Sequence, residues 1–111
     1  MAQPQPNYRE EKPAQLEKSL LEIKHQIDKT LDTMRKNRNF TPERADLDKL
    51  SKKTLELVQK YHPSMSPQQK TLLVAVVDLT EIPVMQPVMQ RVAFETALKD
   101  ASKNIHRFLN D

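Results

Sequence analysis

Between Leu16 and Met34 the apolar residues fall at 16, 20, 23, 27, 31 and 34. Those steps of three and four trace one face of an α-helix, close to a heptad. They predict a first helix over 13–37. Pro13 suits its opening turn, where a missing N–H costs nothing. Arg35, Lys36 and Arg38 suit its end, with Asn37 as the stop. A second stripe runs through Leu47, Leu50, Thr54, Leu57 and Tyr61. It predicts a helix opening at Thr41, with Thr41 as N-cap, Pro42 as the first helical residue and Glu43 in the electropositive first turn. His62-Pro63 ends it, because a residue before proline avoids the helical region.

Ser66-Pro67-Gln68-Gln69 has the form of a capping box, serine at the N-cap and glutamine three residues on. The stretch that follows, Thr71 to Ile82, is apolar on nearly every face. By periodicity alone it could be a buried strand, but the capping box and the length to Ile82 favour a central helix, wrapped by its neighbours or by a second chain. Residues 83–90 read PVMQPVMQ, a tandem tetrapeptide. Two prolines four apart interrupt a straight helix. A last helix therefore begins near Pro87, with its stripe at Phe94, Leu98, Ala101, Ile105 and Phe108, flanked by Val88, Val92, Ala97 and Leu109.

Four helices on short connections make antiparallel neighbours. The expected fold is all-α, an antiparallel four-helix bundle over residues 13–111, with the tandem-proline break leaving an irregular bundle open. Residues 1–12, with two prolines and almost nothing to bury, read as a disordered tail.

Composition narrows the chemistry. The 111 residues contain no glycine and no cysteine. Without glycine there is no glycine-rich phosphate loop, and without cysteine no disulfide, thiolate metal site or cysteine nucleophile. The longest apolar run is six residues, Leu72 to Val77, far short of the ~20 that span a bilayer. No secretory h-region precedes residue 13, so the expected location is the cytoplasm.

Candidate sites are few. Glu22 and His25 have the Glu-x-x-His spacing of di-iron bundles, but Gln59 and Lys103 stand where a second copy would need glutamate. Both residues also fall off the apolar stripe. No serine sits in an exposed nucleophile turn. The expectation is no enzyme, no metal, no cofactor, no small-molecule substrate and no membrane partner.

Two features remain. Val84, Met85, Val88 and Met89 lie at the proline-broken corner. Methionine is unbranched and polarizable, and suits adaptable contact surfaces. These four are the expected partner-binding residues, for a partner helix or a second copy; the bland reading has them sealing the end of the bundle. The other feature is charge. The net charge is +3, and all of it lies in residues 1–62, with 13 basic and 10 acidic side chains against five and five beyond. Arg35, Lys36, Arg38 and Arg44 surround the first inter-helix connection, followed by Lys49, Lys52 and Lys53. Folded together they would make one positive patch able to meet phosphates. The leading expectation is a non-catalytic protein–protein interaction module, an adaptor, chaperone-like partner or small regulator. The alternative is a nucleic-acid-associated protein using that patch.

Overall fold

The structure, a computed structural model, describes residues 13–110. The expectation for the 1–12 tail lies outside them. The chain forms α1 (Ala14–Lys36), α2 (Arg44–Tyr61), α3 (Pro67–Val77) and α4 (Pro87–Asn110), with 3₁₀ turns at His62–Ser64 and Asp78–Glu81. No strand occurs among the described residues. The fold is the expected all-α four-helix bundle.

Cross-links fix the directions. Ser102 of α4 meets Asp28 of α1, and Arg91 meets the Met34 carbonyl, so α1 and α4 are antiparallel. Ser51, Asp48 and Arg44 of α2 meet Val77, Thr80 and Ile82 in turn, which makes α2 antiparallel to α3 and the turn that follows it. Helices α1, α4, α3 and α2 pack in that order around the core, and the remaining pair, α1 and α2, touches least.

The stripes behave as amphipathic helices require. Leu16, Leu20, Ile23, Ile27 and Met34 of α1 are buried, as are Phe94, Leu98, Ala101, Ile105 and Phe108 of α4. On α2 the stripe is buried at Leu47, Leu50 and Thr54, and only half-buried at Leu57 and Tyr61. The Ser66 capping box forms in both directions. The Gln69 N–H donates to Ser66 Oγ at 3.1 Å, and the Ser66 N–H donates to Gln69 Oε1 at 2.8 Å.

Two expectations need correction. Helix α2 begins at Arg44 rather than Thr41, and its N-cap is Glu43, with extended backbone and no side-chain cap. Packing is the cause. Phe40 lies against the core and Pro42 is buried, which keeps residues 40–43 out of the helix. The Glu43 carbonyl instead takes the N–H groups of Asp46 and Leu47, at 3.0 and 3.4 Å. Helix α3 stops at Val77, not Ile82, and tightens into the 3₁₀ turn Asp78–Glu81. The tighter winding stacks positions three apart and so sets Leu79 below Val76, and Leu73, Val76 and Leu79 are each no more than 1% exposed. The Ser51 hydroxyl takes the Val77 carbonyl, and Thr80 Oγ1 donates to Asp48 at 2.7 Å. Nor is α3 wrapped on every face, since Val74 stays 48% exposed.

Candidate docking corner

The corner between α3 and α4 is built on polar contacts from two side chains. Arg44, in the first turn of α2, donates from Nη1 to the Ile82 carbonyl at 2.6 Å and from Nη2 to the Pro83 carbonyl at 3.4 Å. Its guanidinium lies 5.6 Å from the centre of the Phe94 ring, within cation–π range. Gln90, in the first turn of α4, takes the Met85 N–H on Oε1 at 3.0 Å and donates from Nε2 to the Pro83 carbonyl at 3.1 Å. Arg44 Nη2 also reaches Gln90 Oε1 at 3.4 Å, so the two clamps touch. The Gln90 N–H closes onto the Gln86 carbonyl at 2.7 Å, where α4 starts.

With those backbone groups engaged inward, the side chains of the corner face outward. Val84 is 84% exposed, Val88 77%, Met89 59% and Met85 36%. Val92, one turn beyond Val88 on the same helix face, is 55% exposed. The four residues expected to bind a partner are thus together and open, and they do not seal the bundle. From Ile82 to Gln90 there is no charged residue. The next residue, Arg91, turns inward and donates to the carbonyls of Met34 and Phe40.

Three of these participants were not legible as such. Arg44 reads in the sequence as part of a basic cluster. A cation in the first turn of a helix opposes the macrodipole, and that misfit is the signal that it has a specific partner. Gln90 is indistinguishable from Gln86 in the repeat. Val92 reads as a flank of the α4 stripe.

The basic residues take different partners. Arg35 and Lys36 share one carboxylate, Asp32, at 2.8 and 3.0 Å. The Arg35 hydrogen bond, with that of Lys36, holds the exposed Asp32 carboxyl below the usual carboxylate range. Arg38 is exposed beyond the end of α1. Arg44 is spent on the corner. Lys49 and Lys53 line a cavity between α1 and α2 with Lys29, while Lys52 stands exposed on α2.

Glu22 and His25 are exposed on the outer face of α1. His62 Nδ1 accepts from Lys70 Nζ at 2.8 Å. Among the described residues no three His, Cys, Asp or Glu side chains gather as metal ligands would, and no helix is long and apolar enough to cross a membrane. No family model, curated protein or solved structure matches the chain.

Proposed function

We propose that this chain is a non-catalytic interaction module of the cytoplasm, an adaptor, chaperone-like partner or small regulator, that docks proteins at the Val84–Val92 corner. The observation that carries this reading is five exposed apolar side chains on a backbone whose polar groups are already engaged by Arg44 and Gln90. A contiguous apolar patch of a few hundred Å² is near the largest that monomeric proteins present, and such patches are often functional. The fixed backbone lowers the ordering cost of association. The nucleic-acid reading has less support, because Arg44 points into the protein and Arg35 and Lys36 are paired to Asp32.

The test is native mass spectrometry on the protein purified gently from its own cells, beside a Met85→Asp/Met89→Asp variant. Both positions are exposed, so the variant should melt within about 0.5 kcal/mol of the parent. The parent is expected to carry a second polypeptide or a second copy, and the variant to lose it. A parent of bare 12.9 kDa, or a variant that keeps its companion, overturns the reading, and an oligonucleotide ladder supports the alternative.

A further inference from the structure

The corner is flanked by opposite charges. On one side lies the end of α1, brought there by the Arg91 bonds to the Met34 and Phe40 carbonyls. It carries Arg35, Lys36 and Arg38 against the single carboxylate of Asp32. On the other side lies the 3₁₀ turn Asp78–Glu81, which leads directly into Ile82. It carries Asp78 and Glu81, both exposed, and neither forms an ion pair among the described residues. The centre, Ile82 to Gln90, is uncharged.

A surface of this kind is complementary to itself. In a two-fold contact, features that lie on either side of the axis meet the opposite side of the other copy. With the axis through the uncharged centre, the basic end of α1 in one copy faces the acidic turn of the other, twice. Apolar side chains meet apolar side chains, and no like charges are opposed. Area points the same way. A stable dimer buries about 800 Å² per partner. Five exposed apolar side chains fall short of the about 20–30 residues a side that such a contact involves, so a lasting contact has to include both flanks. The Asp32 ion pairs do not stand in the way, since exposed pairs of this type stabilise little and Arg35 and Lys36 are 77% and 75% exposed.

We infer that the occupant of the corner is a second copy of this chain, in a two-fold dimer that pairs Arg35 and Arg38 of each copy with Asp78 and Glu81 of the other. This rests on the corner being a docking surface, and names what docks there.

Sedimentation velocity from 1 to 200 μM, at 50 and 500 mM salt, tests it with three exposed-site variants. The parent is expected to pass from monomer to dimer with rising concentration, at least tenfold more weakly in high salt. Val88→Asp/Met89→Asp should stay monomeric. Asp78→Arg/Glu81→Arg and Arg35→Glu/Arg38→Glu should each dimerise at least tenfold more weakly alone. Mixed together they should form a heterodimer, because both flanks are then opposed correctly. A parent that is monomeric throughout, or a mixture no tighter than either variant alone, overturns the second-copy assignment. The wider reading falls separately: a monomeric parent that still holds another polypeptide, lost in the Met85/Met89 variant, keeps the docking corner and removes only the self-pairing.

Discussion

Helix α1 meets two neighbours in different ways. Its seam with α4 joins two buried stripes and is tied by Ser102 to Asp28 and by Arg91 to the Met34 carbonyl. Its seam with α2 holds two adjoining cavities of about 350 and 320 Å³, which share Gln26 and Lys53. No hydrogen bond or ion pair crosses from α1 to α2 among the described residues. Yet α2 is the helix that follows α1 in the chain, and α4 is the last. A short connection makes two helices neighbours in space. Matching apolar stripes decide how closely they pack. The α2 stripe loses its buried character after Thr54, and Lys49, Lys53 and Lys60 line the gap beside it.

Truncations on the two seams should therefore differ in cost. Ile105, fully buried on α4, should lose about 3 kcal/mol on change to alanine, through lost burial and the cavity left behind. Leu57, half-buried beside the gap, should lose about 1 kcal/mol on the same change. Chemical denaturation of both variants checks the pair, and equal losses would make the two seams equivalent. Arg91→Met comes next. It keeps the apolar stem but strips the Met34 and Phe40 carbonyls of a charged donor, at about 2 kcal/mol. Denaturation midpoints read the change, and a loss within error would mean that water replaces the guanidinium fully.

The smallest effect sharpens the comparison through pH. Burial pushes the Asp28 carboxyl up. The hydrogen bonds from Lys24 and Ser102, with the charges of Lys24 and His25, outweigh it and leave the group below its ordinary value of 3.8. A carboxyl lowered by folding stabilises the native state above its unfolded value, and that contribution fades as pH falls through the folded value. The α1–α4 seam should therefore weaken below about pH 4. Asp28→Asn should flatten the acid side of the stability curve, and Ser102→Ala should cost about 1 kcal/mol at neutral pH. An unchanged acid limb in the asparagine variant would dismiss the carboxylate as a tie between the helices.

Much of this fold is legible in the sequence because most of it is local. The α1 and α4 stripes, the Ser66 capping box and the start of α4 at Pro87 each depend on residues within one turn of one another. What escapes depends on residues far apart in the chain. Thr41 has the chemistry of a cap, but the demand of Phe40 and Pro42 for the core outweighs it. The tightening after Val77 answers to Ser51 and Asp48, some 26 and 32 positions away. Of the corner proposed to dock a partner, the four apolar residues are visible as a composition anomaly. The clamps that hold them outward, Arg44 and Gln90, become visible only when α2 and α4 are brought together.

No described residue has a positive φ, and the chain has no glycine. Helices α1, α2 and α3 end on extended or right-handed residues, Asn37, His62 and Asp78, without the left-handed cap that glycine usually supplies. This has a consequence for the denatured ensemble. Glycine is the residue with most conformational freedom to lose on folding, and proline among those with least. A chain with eight prolines and no glycine explores fewer states when unfolded than one of average composition. Part of the margin by which this small bundle holds its shape thus comes from the restricted chain it folds from, and leaves no trace in the contacts of the folded protein.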